Sequence, residues 1–402
     1  MIERNDYEVR FKISKELLLE IVKSMYKVVP KSTPMRELTG FLLEANEDDG
    51  HLYIIATNLE VSMQRKVKVQ IESGGMMLME AKFMYEMLQL LGGTDVEFNL
   101  VKEGLAEIKS GKCTYLRSVM NPKEYPKTEI PFPGTMATVS NVASMYSKTR
   151  GTVLSSGIPD SMKGIHFDIR SNGFRVVSCN LQNISMVSHM MDCENAMEFT
   201  LPKPAYMYLA TAAGDDELKV GTTDTHVVFM REGLMFSARK LAYEYVNVDN
   251  ILNGLKPVYS LKVEYTDFKP KFEEVYDIAC LGSKMSYIGL EFAEDKIIMS
   301  TENDIGKCTN PVDAVKISGE ESMSYHYSAT HLKNVFDTVD DTLIIQVDRR
   351  GYVLIRDRYN RFMMTRVSDD AVRKQREAYL SPEKPKAKKK AKKKAEPKEK
   401  AA

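Results

Sequence analysis

Apolar and polar positions along the chain alternate between two rhythms. In SKELLLEIVKSMYKVV, Leu17, Leu18, Ile21, Val22 and Met25 share one helical face, the spacing of an amphipathic helix laid on a core. The period then drops to two, which predicts strands near 40–45, 51–57 and 60–70. A second helix over 80–91 restarts the cycle, and strands follow near 95–101, 104–110 and 113–119. This stretch reads as a helix plus three strands, twice. Further helices are expected near 138–149, 202–213, 267–281 and 327–338, each leading into short alternating strands such as TLIIQV and YVLIRD.

The same landmarks recur at a fixed period. HLYIIATNLEVSM, FRVVSCNLQNISM and KIIMSTENDIGKC carry Asn58, Asn180 and Asn303, spaced by 122 and 123 residues. Glycines that open an apolar strand, Gly40, Gly164 and Gly289, are spaced by 124 and 125, and Gly92 and Gly214, read as helix stops, lie 122 apart. Pro-containing joints at 121–134 and 250–257 separate the copies. Domains are therefore expected over 1–127, 130–250 and 253–370, with 371–402 as a disordered Lys/Ala-rich tail. The fold class is α+β.

Charge divides along the same boundary. The chain of 402 residues balances 56 Lys and Arg against 56 Asp and Glu, but residues 383–402 carry ten Lys and three Glu, so an acidic body precedes a basic arm. That arm reads either as a solvated basic extension or as an electrostatic attachment to nucleic acid that lacks aromatic stacking. Five scattered cysteines with no CxxC pair suit neither a disulfide framework nor a zinc set. The charged N-terminus lacks an apolar signal core, and no run approaches a membrane span, so a cytoplasmic protein is expected. No phosphate-cradling glycine loop, metal-spaced histidine pair or nucleophile–base set appears, and neither an enzyme nor a metal or cofactor is expected.

The threefold pattern, with ATNLEVSMQRKVKV, SGKCTYLRSVMNPKEYP and RFMMTRV in their places, resembles the bacterial DNA polymerase III beta subunit, the sliding clamp family, over residues 1 to about 367. The resemblance implies a DNA-clamp fold and a head-to-tail homodimer closing a ring of six domains, with helices lining the hole. It implies a processivity factor that encircles duplex DNA without sequence preference and tethers a replicative polymerase, with a clamp loader as a further partner. The competing reading is a β-rich repeat scaffold or adaptor that does not encircle DNA.

Carried over by position, the resemblance implies a partner-peptide pocket of Met162, Cys179, Leu181, Gln182, Asn183, Ile184, Val246, Asn250, Ile251, Tyr287, Phe362, Met363, Met364, Arg366 and Val367. It implies DNA-facing residues Lys23, Lys27, Lys31, Arg36, Lys82, Ser156 and Lys203, and a dimer seam at Tyr115, Arg117 and Leu281. The pattern also departs from the family. Cys179-Asn180-Leu181-Gln182-Asn183 stands where the family has TDGHR, Val246 and Asn250 replace a proline and an arginine, Met363 to Val367 replaces MPMRL, and the chain runs on beyond Val367. Such divergence fits a phage or mobile-element clamp and an altered peptide preference.

Overall fold

The computed structural model describes residues 9–126, 132–154, 156–281, 286–303, 305–319, 322–339 and 341–380. Within them the chain builds one pattern six times. The first unit is β1 (Arg10–Ser14), α1 (Lys15–Met25), β2 (Gly40–Asn46), β3 (His51–Thr57) and β4 (Val61–Lys68), with an added β5 (Gln70–Ser73). The second is β6 (Gly75–Glu80), α2 (Ala81–Leu90), β7 (Asp95–Lys102), β8 (Leu105–Ser110) and β9 (Cys113–Ser118). The third is β10 (Ala137–Val139), α3 (Val142–Thr149), β11 (Ile165–Arg170), β12 (Gly173–Cys179) and β13 (Asn183–His189). The fourth is β14 (Met197–Leu201), α4 (Lys203–Ala213), β15 (Leu218–Thr222), β16 (His226–Arg231) and β17 (Leu234–Arg239). After α5 (Val248–Asn253) the fifth is β18 (Pro257–Val263), α6 (Tyr265–Cys280), β19 (Tyr287–Phe292), β20 (Lys296–Glu302) and β21 (Lys307–Asp313), with an added β22 (Val315–Ser318). The sixth is β23 (Met323–Ser328), α7 (Ala329–Phe336), β24 (Leu343–Asp348), β25 (Val353–Arg356) and β26 (Arg361–Met364), and α8 (Asp369–Leu380) follows.

Each unit therefore has a strand ahead of its helix, where the sequence reading expected helix plus three strands. That leading strand is exchanged: β1 pairs with β7 of the second unit, and β6 pairs with β2 of the first. In β1, Phe11 and Ile13 point inward while Arg10, Lys12 and Ser14 point out, an alternation masked by the charged residues around it.

Four sheets result, ordered β5-β1-β7-β8-β9, β10-β15-β16-β17-β4-β3-β2-β6, β14-β11-β12-β13-β26-β25-β24-β18-β22 and β21-β20-β19-β23. The second is continuous across the first and second copies through β4 and β17, and the third across the second and third copies through β13 and β26. Helices pack on one another beneath these sheets, α1 on α2, α3 on α4, α6 on α7 and α1 on α4. On α1, Leu18, Ile21, Val22 and Met25 are buried, and each side chain removed from water contributes about 1.5–3 kcal/mol.

The repeated asparagines have a shared job. The Oδ1 atoms of Asn58, Asn180 and Asn303 each accept from backbone N–H groups two and three residues on, and each Asn N–H donates to the carbonyl three residues on. This Asx-type closure turns the chain into β4, β13 and β21. At Gly164 (φ +78°) a Cβ would stand 2.5 Å from the Leu201 carbonyl oxygen, so only glycine lets the strand entry approach β14. The paired helix stops hold only in part: Gly214 has φ +63°, whereas α2 ends before Leu91 with extended backbone and Gly92 needs no positive φ.

The expected disordered tail needs correction at its start, because Asp369–Leu380 is helical. Asp369 and Asp370 sit in the first turn, where acidic side chains suit the helix dipole, and Arg376 ties the helix to Glu302 on β20 at 2.6 Å. The Lys-rich remainder, 381–402, lies outside the described residues.

Candidate partner-binding site and DNA face

Where β12, β13, β26, β25 and β24 run side by side, their outward residues form rows across the sheet. Register aligns Cys179 with Ile184, Ile184 with Met363, Met363 with Leu354, and Leu354 with Gln346. This apolar row carries a satellite core separate from the main one. Val177, Cys179, Ile184, Met186, Val248, Leu252 and Met363 are buried in it, and Met162, Tyr245, Val246, Ile251, Leu255 and Leu354 pack partly exposed around it.

Of the fifteen residues proposed from sequence, six therefore meet here: Met162, Cys179, Ile184, Val246, Ile251 and Met363. They close on one another, with Cys179, Ile184 and Met363 buried and the exposed apolar surface confined to their partly buried neighbours. The α5 helix supplies Val248, Ile251 and Leu252 because its N-cap, Asn247, accepts from the Asn250 N–H at 3.0 Å, fixing the first turn. Asn250 itself is exposed at the edge.

Others are placed differently. Phe362 and Met364 lie on the opposite face of β26 from Met363, inside the main core, so Phe362 is a core residue and cannot serve as an exposed anchor. β26 is buried on both sides, and a run without alternation hides which side chain faces which way. Tyr287 lines a small cavity with His326, Val372 and Arg376 of α8, away from the satellite core. Arg366 lies 5.6 Å from the Tyr325 ring and 3.2 Å from Asp369. The Val367 N–H donates to the His326 carbonyl, and the Gln182 carbonyl accepts from the Thr365 N–H. Asn183 bonds His331 at 3.1 Å across the copy boundary, and Leu181 is an exposed hairpin tip.

Tyr245, absent from the sequence-derived set, is central. Its ring stacks on His166 at 4.9 Å, and its hydroxyl takes a 3.4 Å hydrogen bond from the Cys179 thiol. Burial pushes both Tyr245 and Cys179 above their usual titration range and lowers His166, so these groups are neutral near pH 7. The aromatic-rich YEYVNVDNIL was the available signal. Beside them Arg175 bridges Asp168 and Asp249, and its hydrogen bonds hold the Asp249 carboxyl below its ordinary value. Such a site offers apolar area and fixed charge, not proton transfer. Among the described residues no group of three His, Cys, Asp or Glu side chains is disposed to hold a metal.

On the helix side, Lys23 on α1 and Lys27, Lys31 and Arg36 beyond its end are exposed, and among the described residues none has a carboxylate within ion-pair distance. Ser156 is exposed. Lys82 stands 4.0 Å from Glu86, and the Lys203 ammonium, partly buried, donates to the Val153 carbonyl at 3.2 Å. On α6 and α7, Lys269 and Lys333 share Glu273 and Asp337.

Among the strands that end their sheets are β9 and β21, each the last strand of its unit's hairpin series. Tyr115 and Arg117 lie on β9, with Arg117 bonded to Glu80 at 2.8 Å and set over the Phe83 ring. Leu281 is not on a strand: it terminates α6, half exposed, its carbonyl bonded by Asn303 at the root of β21. An edge strand of the third copy is β21, Lys307–Asp313, and Leu281 lies beside its root rather than on it.

A family model described as DNA polymerase III beta subunit, N-terminal domain, matches residues 9–129. The Beta sliding clamp of Bacillus subtilis (strain 168) is 22% identical over 352 residues, covering 81% of this chain and 90% of that protein. The Beta sliding clamp of Chlamydia muridarum is 21% identical over 343 residues, covering 82% and 87%. Among solved structures, the DNA polymerase sliding clamp from Bacillus subtilis superposes with a TM-score of 0.80 at 18% identity, covering 90% of this chain and 99% of that one. A DNA polymerase III subunit beta sliding clamp from Pseudomonas aeruginosa bound to griselimycin gives 0.79 at 14%, covering 90% and 100%.

Proposed function

We propose that the chain is a member of the DNA polymerase III beta subunit family of sliding clamps and works as a processivity factor: a ring that encircles duplex DNA and holds a replicative polymerase on it. The ring consists of two copies joined head to tail, each with three domains over about 1–127, 130–250 and 253–370. A clamp loader opens it, and no chemical step is its own.

One observation carries this reading. At both internal joints, the last strand of an odd unit pairs with the last strand of an even one, β4 with β17 and β13 with β26. The last strands left over are β21, from the fifth unit, and β9, from the second, both free at one edge. The same pairing rule joins β21 of one copy to β9 of another, and a second such joint closes a ring of twelve units with no free edge of this kind. The register supports the rule in detail. Phe236 faces Met63 and Phe362 faces Ser185, residues five positions after Asn58 and Asn180. Tyr115 is the corresponding aromatic on β9, and five positions after Asn303 stands Cys308. Pro311, which cannot donate from a strand edge, lies just beyond the segment that pairs at the other joints.

DNA is held by topology, so the contacts it needs are weak and non-specific. Exposed Lys23, Lys27, Lys31 and Arg36 supply them through phosphate attraction, while Lys269 and Lys333 of the third copy, held by Glu273 and Asp337, contribute less. The polymerase docks through a linear peptide on the partly exposed apolar rim of the satellite core, Met162, Val246, Ile251 and Leu354, which buried Met363 and Ile184 support from beneath, the apolar platform a peptide anchor requires. Closed circular DNA should retain the loaded protein and linear DNA should lose it from the ends; equal retention on both refutes the ring.

A further inference from the structure

Two residues along each strand from the apolar row, the outward positions change character. This second row runs Val177, Met186, Arg361, Arg356 and Ile344 in register across the same strands. Because alternate residues share a sheet face, Arg361 stands beside Met363 and Arg356 beside Leu354, about 7 Å away along the strand. The loop joining β25 to β26 adds Arg358, which lies over the exposed Tyr359 ring at 5.0 Å. These side chains, with Met186, Ser188 and Asp357, enclose a cavity of about 580 Å³.

The carboxylates nearby are already engaged. Asp249 is clasped by Arg175 through both oxygens. Asp357 accepts from the Tyr359 and Asn360 N–H groups and from the Asn360 amide. None of Arg356, Arg358 and Arg361 has a carboxylate within ion-pair distance among the described residues. The Arg356 Nε is buried without an acceptor, and so is the Asn360 Oδ1 without a donor, in a residue only 6% exposed. A buried guanidinium N–H without a partner costs free energy that an incoming acceptor recovers.

We propose that this arginine row is the second half of the partner site, and that the peptide docking on the satellite core carries acidic residues flanking its apolar anchor, which the guanidinium groups of Arg356, Arg358 and Arg361 bind. The inference rests on the reading of the satellite core as the peptide site. Continuity decides for a peptide over nucleic acid: Met186 belongs to both the apolar core and the arginine cavity, and the row lies on the sheet face rather than with the exposed helix-side lysines.

The test uses the full chain and synthetic fluorescent peptides that share two apolar anchor residues. Two adjacent flanking positions, before or after the anchors, are both Asp or both Asn. Anisotropy titrations at low salt should show the Asp peptide of one polarity binding about tenfold tighter than its Asn counterpart, an advantage that fades as salt is raised. Replacing Arg356, Arg358 and Arg361 with Gln should abolish the advantage and leave the Asn peptide unaffected; if the triple variant melts early, R358Q/R361Q, at exposed positions, serves in its place. Equal binding of Asp and Asn peptides, with Met363→Ala weakening both, overturns the acidic flank and leaves the peptide site standing. Loss of duplex DNA binding in the arginine variant, with the peptide preference intact, assigns the row to nucleic acid and also overturns it. If no peptide binds, or Met363→Ala changes nothing, the peptide site itself fails and takes this inference with it.

Discussion

Tyr115 offers the sharpest test of ring closure. It corresponds in register to Phe236 and Phe362, both fully buried at internal joints, yet it is 36% exposed on β9, which has no neighbour on that edge. If an aromatic side chain presents about 200 Å², closure removes about 70 Å² of Tyr115 from water, worth ~1.8 kcal/mol at ~25 cal/mol per Å². A closed ring buries two copies, so Tyr115→Ala should cost ~3.5 kcal/mol, a several-hundredfold rise in the dimer dissociation constant. Sedimentation equilibrium reads this directly, and a constant within about threefold of wild type would refute the closure rule. Register has its own check. With Cys113 and Cys280 changed to Ser, Tyr115→Cys should oxidise to a disulfide with the native Cys308 of a second copy, since directly opposed residues lie within disulfide reach. Leu116→Cys, on the other face, should not. The reverse pattern would place β9 one residue out of register.

Phe362→Ala should lower stability by about 3–5 kcal/mol, as emptied aromatic core sites do, whereas Met363→Ala should weaken a polymerase-type peptide by about 1–3 kcal/mol and leave the dimer intact; melting curves beside peptide titrations separate the neighbours. Replacing Lys23, Lys27, Lys31 and Arg36 together with Gln should flatten the dependence of DNA affinity on salt by up to about 0.9 in log–log slope per lost phosphate contact; an unchanged slope removes them from the DNA face. Hydrogen bonds from Lys219 and Thr138 hold Glu194 at about 2, below its ordinary 4.5. A depressed carboxyl stabilises the fold above its unfolded value and loses that contribution as pH falls from about 4.5 toward 2. Glu194→Gln should therefore melt earlier than wild type at pH 7 and converge with it near pH 2, and a constant difference across that range would contradict the assignment.

Legibility varied with how local the causes were. The helix of Leu18, Ile21, Val22 and Met25 and the hairpins closed by Asn58, Asn180 and Asn303 emerged from periodicity and turn chemistry, because their hydrogen bonds span a few residues. The leading strand β1 carried an alternating pattern, but its inward Phe11 and Ile13 were outnumbered by charge. At the candidate site, Met162, Cys179, Ile184, Val246, Ile251 and Met363 were found by resemblance and do converge, while Tyr287 and Phe362 belong to other surroundings. Tyr245 was missed because nothing in YEYVNV says that its ring will lie on His166, far away in sequence.

The amino-acid sequence by itself determined the threefold repeat, the helices and the hairpin turns, since each is encoded by residues that touch within one or two turns of chain. Only the tertiary structure decided that β1 and β6 change places between units, that β4 meets β17 and β13 meets β26, and that β9 and β21 are left open. It also decided that Arg356, Arg358 and Arg361 gather beside an apolar row. A strand's backbone groups pair equally well with any suitably twisted neighbour, so the choice among them is made by the packing of side chains distant in sequence.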